Sequence, residues 1–215
     1  MMSKHFLTSL ALAVVLAASS AHADAPDRFA GLESVDSKRL SRVHRAPEVD
    51  FRPYRQVVID DVEVSFARWW KRETRQSGYL LRGEDIERIR ANLADILMTA
   101  YAEHLQARGY EVLPSTADAG TGVLRITPRL VDVDVYPTDV GNNRFSVVRG
   151  RSIGELTLDV DYRDASTGAL LASVQDRKLD RWPGAPVTRN QQAFDERLRR
   201  IVDQWAEALD AELPL

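Results

Sequence analysis

Ser152 is the residue whose surroundings most resemble a catalytic motif. It lies in Gly150–Gly154, GRSIG, which has the G-x-S-x-G spacing of a serine-hydrolase nucleophile elbow. That motif places the serine between a strand and a helix, and its chain order requires a histidine further on. Here the residues that follow predict a strand, and the last histidine in the chain is His104. We therefore interpret Ser152 as part of the turn that enters a strand.

Histidines and paired aspartates are the other groups that could do chemistry. Beyond residue 23 the sequence has His44 and His104, without the H-x-x-x-H or H-E-x-x-H spacing of a metal site. Asp132 and Asp134 share one face of a predicted strand, where they could bind calcium or act as a general acid and base. Solvated acids on a strand face are much commoner, and the sequence has no cysteine. We predict no catalytic residue, metal site or cofactor, and keep hydrolysis by Asp132 and Asp134 as the alternative.

Arg68–Arg75, RWWKRETR, is a candidate contact segment because two tryptophans stand among basic residues. This combination suits a lipid headgroup layer or an acidic polymer. The simpler interpretation, which we favour, has one tryptophan packing into the core and the rest of the segment solvated. The candidate contact surface is Trp69, Trp70, Lys71, Arg72, Asp132 and Asp134.

The elements that must position these residues begin with a strand–helix–strand unit. Residues 55–67, RQVVIDDVEVSFA, alternate in hydropathy and start apolar on both faces, which is typical of a central strand. Residues 84–108 carry apolar side chains at helical spacing and end at Gly109, which suits a left-handed cap. A short strand, YEVLPS, follows directly, so we predict a crossover that connects parallel strands.

A long strand and a hairpin come next. Val123–Tyr136 is predicted as a strand with an irregularity beside Pro128, because the apolar phase changes there. Residues 155–178, ELTLDVDYRDASTGALLASVQDRK, alternate, turn at DASTG and alternate again. A five-residue loop would place Val160 opposite Ala172. The polar residues of both arms would then form one solvent-exposed face.

The last predicted element is a helix over 189–211, with Thr188 and Gln191 matching a capping box. Its apolar stripe, like that of the first helix, covers one side only. Two one-sided helices and a sheet with one wet face predict a two-layer α+β sandwich. We expect a mixed, mostly antiparallel sheet of four to five strands, with both amphipathic helices on one face.

The beginning of the chain has the features of a secretory signal peptide. Lys4 gives a positive start, and AHA at 21–23 offers a small-x-small cleavage motif. The apolar stretch Phe6–Ala18 is shorter than the roughly 20 residues of a membrane-spanning helix. We therefore predict a signal peptide over 1–23 that is cleaved before Asp24.

The remaining sequence predicts a polar, irregular arm over 24–53, rich in proline, and a single α/β domain over 54–215. Removal of Lys4 leaves 28 basic and 32 acidic residues, a net charge of −4. This mildly acidic balance argues against a general nucleic-acid-binding protein. No second apolar run of spanning length follows the first, so no transmembrane segment is expected.

Three stretches of the sequence resemble the bacterial domain-of-unknown-function family 3313. They are RVHRAPEVDFRPYRQVVIDDVEVSF, VLRITPRLVDVDV and GELTLDVDYRDASTGALLASVQDRK. The resemblance runs from about Arg28 to the last helix. Since members are mostly described as envelope lipoproteins, it implies an envelope location and a small mixed α/β domain, without any known activity or catalytic residue. The lipobox cysteine of the typical member is absent, so lipid anchoring is not expected.

From these observations we expect a periplasmic, non-catalytic domain that binds or supports an envelope protein or a cell-wall component. Nucleic acid is not an expected partner. Outer-membrane association and the oligomeric state stay open at this stage. It is also open whether an exposed edge of the hairpin or the segment with the two tryptophans is the contact surface.

Overall fold

A computed structural model describes residues 29–115, 120–138, 149–150, 152–180, 187–188 and 190–213. Within them the chain forms three helices and ten strands. The helices are α1 Trp70–Gln76, α2 Gly83–Ala107 and α3 Gln191–Glu212. The strands are β1 Glu33–Val35, β2 Arg42–Arg45, β3 Gln56–Ile59, β4 Glu63–Phe66, β5 Glu111–Leu113, β6 Val123–Val135, β7 Arg149–Gly150, β8 Gly154–Asp164, β9 Leu170–Leu179 and β10 Val187–Thr188.

Eight of the strands form one mixed sheet in the order β1-β2-β9-β8-β6-β3-β5, and β4 also pairs with β6. The β3–β5, β3–β6 and β4–β6 pairings are parallel, and the other pairings in this sheet are antiparallel. The predicted mixed α+β class is therefore confirmed, as is the parallel crossover from β3 through α2 to β5. The expected four to five strands and two helices are corrected to eight strands and three helices, counted over the described residues.

One source of the extra strands is a break in the predicted strand 55–67. It is divided into β3 and β4, which follow each other along the same side of β6. The N–H of Asp60 donates to the carbonyl of Ile126, so the backbone polar groups of Ile126 point toward β3 and β4. Because this direction alternates along a strand, the backbone of Pro128, two residues further on, points to the same side. Proline has no N–H to give to the ladder, and it lies at the interruption between β3 and β4. The register shift of β6 itself lies further on, beside Asp132, which has a φ of 50°.

The other source is the segment predicted as an irregular arm. Strands β1 and β2 lie within 24–53, and β2 pairs with β9. Since β8 pairs with β6 on its other side, the hairpin does not have the exposed edge expected from the sequence. Val43 faces Val174 and is buried in the core. Strands of three and four residues are too short to show a convincing period in the sequence, so only the partner strand β9 reveals them.

The predicted hairpin is present as β8 and β9, with a register two residues away from the expected one. Val160 faces Val174 and Tyr162 faces Ala172, and the register shifts by one residue before Arg163 pairs with Leu170. A shift of two residues keeps every side chain on its expected face, because side chains alternate with a period of two. The irregularity near the turn accounts for the difference from a simple five-residue loop.

Helices α2 and α3 pack on the same face of the sheet, as predicted. Leu97 of α2, Trp205 of α3 and Val160 of β8 line a residual apolar cavity of about 10 Å³ between the layers. The indole N–H of Trp205 donates to Asp176 at 2.8 Å. Helix α2 matches its predicted bounds within one residue, and Gly109 takes the expected left-handed conformation with a φ of 88°.

The predicted cap of the last helix is corrected. Asn190, rather than Thr188, is the N-cap, and its side chain accepts a hydrogen bond from the N–H of Ala193 at 2.8 Å. Thr188 instead lies in β10, which pairs with β7. None of the helices in the described part of the chain combines the length and the hydropathy needed to cross a membrane.

Candidate functional site

The adjacent tryptophans Trp69 and Trp70 lie where β4 leads into α1, and they point in different directions. Trp70 is buried, stacks on Phe66 with ring centroids 4.0 Å apart, and donates its indole N–H to the carbonyl of Val135 at 2.7 Å. Trp69 is 46% exposed. Trp70 therefore cannot belong to an exposed contact surface as proposed from the sequence, because its ring faces the core. The favoured interpretation, with one tryptophan in the core, agrees with this arrangement.

The cations around Trp69 are exposed and have no opposite charge beside them. Lys71 and Arg72 are exposed on α1. Together with Arg68 and Arg75, they form no ion pair with any residue that the structure describes. We call residues 68–82 the basic segment, since it contains five basic residues and one acidic residue in a chain whose net charge is −3. The segment is therefore a local positive region on an acidic protein.

Large hydrophobic side chains are exposed at one end of the sheet, which we call the apolar end. Its members are Trp69, Leu80, Tyr136 and Leu179, with exposed fractions of 46%, 80%, 38% and 44%. They are the large hydrophobic residues that the described part of the chain exposes.

Strand pairing places Trp69, Tyr136 and Leu179 at the same end of the sheet, and Leu80 lies in the connection that leaves this end. Trp69 and Leu80 lie in the connection from the carboxyl end of β4 to the start of α2, and Tyr136 follows β6, which runs parallel to β4. Leu179 ends β9, and it faces Glu155 at the start of β8, beside the end of β6. The sequence singled out Trp69 alone. The exposure of Leu80, Tyr136 and Leu179 could have been predicted from their positions, since each of them ends or directly follows a strand or lies in a connection.

Asp132 and Asp134 lie near the carboxyl end of β6, so they belong to the same end of the sheet as Trp69 and Lys71. Asp132 is exposed in the irregular part of the strand, and Asp134 is half-buried opposite Glu155. Asp132 lies at the register shift between Val131 and Asp134, so the two acids do not follow the strict alternation from which a common strand face was predicted.

The face of the sheet opposite the helices carries a buried ionic network. Arg129 donates from the same guanidinium nitrogen to Asp159 at 2.9 Å and to Asp161 at 3.0 Å, and Ser173 donates to Asp161 at 2.7 Å. Asp159 and Asp161 are 5% and 4% exposed. The predicted wet face of the hairpin is therefore wrong at its centre. The long arginine side chain lies across the shorter acids of the central strand β8 and excludes water from them.

This network is explained by mutual neutralisation. Burial opposes the charge of Arg129, yet hydrogen bonds from the guanidinium to the two carboxylates outweigh that effect, and the pKa of Arg129 is raised. A second carboxylate is compensated in the same way: Asp60 accepts hydrogen bonds from Arg125 at 2.8 Å and from Thr127 at 2.6 Å. The signal in the sequence was the occurrence of arginines and aspartates at matching polar positions of adjacent strands.

His44, Ser173 and Asp161 lie side by side across β2, β9 and β8. The residue types are those of a serine-hydrolase catalytic triad, but the side chains are arranged in a different spatial order. A catalytic aspartate orients the histidine, and the histidine accepts the proton of the serine. Here Ser173 is 1% exposed and donates directly to Asp161. The row is therefore a structural polar contact.

Ser152 lies in a turn before β8, as predicted, and its hydroxyl accepts the N–H of Gly154 at 2.9 Å. Gly154 has a φ of 123°, and a Cβ there would lie 2.0 Å from the carbonyl oxygen of Asp134. The second glycine of the G-x-S-x-G match is thus required by close contact with β6. Gly150 and Ser152 flank Arg151, which lies outside the described residues.

Two further features bear on the chemistry of the surface. An open depression of about 390 Å³ beside β4 and β6 is lined by valines and by the polar residues Glu63, Ser65, Arg90 and Arg129. Within the described ranges, no three histidine, aspartate or glutamate side chains converge as metal ligands.

Comparisons with known proteins bear on the family of this chain. The family model described as "Protein of unknown function (DUF3313)" matches residues 23–209. No curated protein matches the sequence.

Solved structures show remote likenesses. PelC from Paraburkholderia phytofirmans, a dodecamer, aligns over 83% of this chain and 94% of its own, with 10% identity and a TM-score of 0.39. A DUF330 protein from Xanthomonas campestris aligns over 73% and 88%, with 10% identity and a TM-score of 0.35. A minor lipoprotein from Acinetobacter baumannii aligns over 74% and 94%, with 16% identity and a TM-score of 0.30.

Proposed function

The chain belongs to the DUF3313 family, and from that membership we propose that it is a non-catalytic domain of the bacterial envelope that binds or supports another envelope component. The signal-peptide features of residues 1–23 support an exported, periplasmic location. The apolar end, together with the basic segment, is the proposed contact surface.

The observation that carries this proposal is the gathering of exposed hydrophobic residues at one end of the sheet. Scattered exposed hydrophobic residues are normal on a soluble protein, whereas a local group of them marks an interaction site. Trp69 lies next to Arg68, Lys71 and Arg72, which have no ion-pair partner in the described part of the chain. Asp132 and Asp134, the acids of the alternative hydrolase hypothesis, lie at the rim of the same surface.

Site-specific photo-crosslinking in intact cells tests the proposal. A photoreactive phenylalanine analogue replaces Leu80, which is 80% exposed at the apolar end. The matched control places the same analogue at Gln106, an exposed residue near the other end of α2. We expect a covalent adduct with an envelope component from position 80 and none from position 106. Absence of any adduct at position 80, or equal labelling at both positions, would contradict the proposed function.

A further inference from the structure

We propose that the apolar end docks onto the surface of a lipid bilayer that contains anionic headgroups. This inference rests on the proposed function of that end and names its partner. The partner follows from three observations: the kinds of side chain exposed, the way they are distributed, and the charge that surrounds them.

The exposed side chains are of the kind found at membrane–water interfaces. Trp69 and Tyr136 carry amphipathic rings that suit the headgroup level, and Leu80 and Leu179 supply purely apolar side chains. The four residues project from two different connections and the end of a strand, so they form separate points rather than one groove. Separate points suit shallow insertion between headgroups, whereas a helical or extended peptide would need a continuous cleft.

The charge of the surrounding surface is complementary to anionic lipid. Arg68, Lys71, Arg72 and Arg75 have no ion-pair partner among the described residues. The basic segment has a net charge of +4, although the whole chain has a net charge of −3. A cluster of lysine and arginine beside exposed aromatic side chains is the usual composition of a protein surface that binds anionic membranes.

The acids at this end do not cancel the positive charge. Glu84 pairs with Arg82 at 3.6 Å, and Glu155 pairs with Arg177. Asp132 also stabilises the charged form of Arg177, so this arginine is shared by Glu155 and Asp132. Glu73 is the single acidic residue within the basic segment.

Vesicle co-sedimentation tests the inference with the purified exported protein. We compare vesicles of phosphatidylcholine with vesicles of an equimolar phosphatidylcholine–phosphatidylglycerol mixture. The protein should bind the anionic vesicles, and added salt should weaken that binding by screening. The double variant Lys71→Gln with Arg72→Gln should bind on the order of tenfold more weakly, since each cation near an anionic surface contributes several-fold. Trp69→Ala should also weaken binding.

The matched control is Arg52→Gln with Arg55→Gln, which removes the same charge from exposed residues at the opposite end of the sheet. This variant should bind anionic vesicles as well as the unaltered chain. Equal binding to neutral and anionic vesicles would overturn the inference, as would an equal loss in both double variants. If vesicle binding fails while the crosslink from position 80 reaches a protein or the cell wall, the partner is wrong and the proposed function stands. If neither vesicle binding nor a crosslink from position 80 is observed, the lipid partner and the proposed function are both wrong.

Discussion

At the scale of single residues, Trp69 and Trp70 are neighbours in sequence with opposite environments. Trp70 is 1% exposed and hydrogen-bonded, while Trp69 is about half exposed. Nothing in the pair itself says which ring faces the core. The choice depends on where α1 begins relative to β4 and on the carbonyl of Val135, which accepts the Trp70 indole N–H.

Replacing Trp70 with alanine should therefore cost about 3–5 kcal/mol of unfolding free energy, as large aromatic truncations in cores do. Trp205→Ala should cost a similar amount, because Trp205 is also 1% exposed and loses its hydrogen bond to Asp176. Trp69→Ala is the control and should stay within about 0.5 kcal/mol. Urea denaturation followed by circular dichroism measures all three variants. An unchanged midpoint for Trp70→Ala would show that its ring does not pack in the core.

Arg129 allows a second prediction at this scale, because it neutralises two buried acids. Arg129→Met should destabilise the protein by about 2–4 kcal/mol, since the buried Asp159 would lose its cation and Asp161 would keep only the more distant Arg163 at 3.8 Å. Adding Asp159→Asn and Asp161→Asn should recover much of the loss. Arg125→Met is the matched control and should cost less, because its pair with Asp60 is more exposed. Chemical denaturation at neutral pH gives the free energies. If the triple variant is less stable than Arg129→Met, the network is not held together by charge compensation.

At the scale of elements, the β8–β9 turn is organised by the carboxylate of Asp164. The hydroxyl of Ser166, the backbone N–H of Thr167 and the hydroxyl of Tyr54 donate to it at 2.6, 2.8 and 2.8 Å. These hydrogen bonds, with that of Ser166 the strongest, hold the pKa of Asp164 well below its usual range. Burial and the same contact raise the pKa of Tyr54 to about 12.

This element should therefore lose stability in acid. Because the folded chain favours the ionised carboxylate, the contribution of Asp164 is complete above the unfolded-state pKa of about 3.9. It is lost as the pH falls below that value toward the lower folded-state pKa. Asp164→Ala should lower stability at pH 7 by about 1–2 kcal/mol, because the hydrogen bonds to the carboxylate are lost. The variant should also lose less stability than the unaltered chain as the pH falls below about 4. Thermal denaturation across this pH range measures the effect, and an unaltered acid profile in the variant would contradict it.

At the scale of the whole molecule, the exposed hydrophobic residues of the apolar end and the cations of the basic segment lie at the same end of the sheet. The connection from β4 to α2 and the ends of β6 and β9 all carry exposed hydrophobic residues, while the opposite end of the sheet does so nowhere in the described ranges. A protein oriented in this way suits contact with an extended surface, and the proposed envelope location would provide one.

Export is the prediction that belongs to this scale. The protein isolated from the periplasmic fraction should begin at Asp24, because AHA at 21–23 is a signal-peptidase motif after an apolar stretch. N-terminal sequencing of the purified native protein is the measurement. Finding Met1 or Met2 at the N-terminus would show that the segment is retained.

Several parts of the fold followed from sequence patterns because they depend on local periodicity. The stripe of α2, the cap at Gly109 and the alternation of β8 and β9 are repeated signals within one segment. The face of each hairpin residue was predictable for the same reason, even though the register was two residues away. The family resemblance was confirmed by the match over residues 23–209.

Other features were decided only by the tertiary structure, because they depend on residues that are distant in sequence. The burial of Asp159 and Asp161 requires Arg129 on the neighbouring strand, and the short strand β2 exists only by pairing with β9. The apolar end exists because parallel pairing of β4 with β6 and antiparallel pairing through β8 bring separate connections to one end of the sheet. Sequence periodicity determines which face of an element is apolar, whereas strand order and register determine which side chains meet.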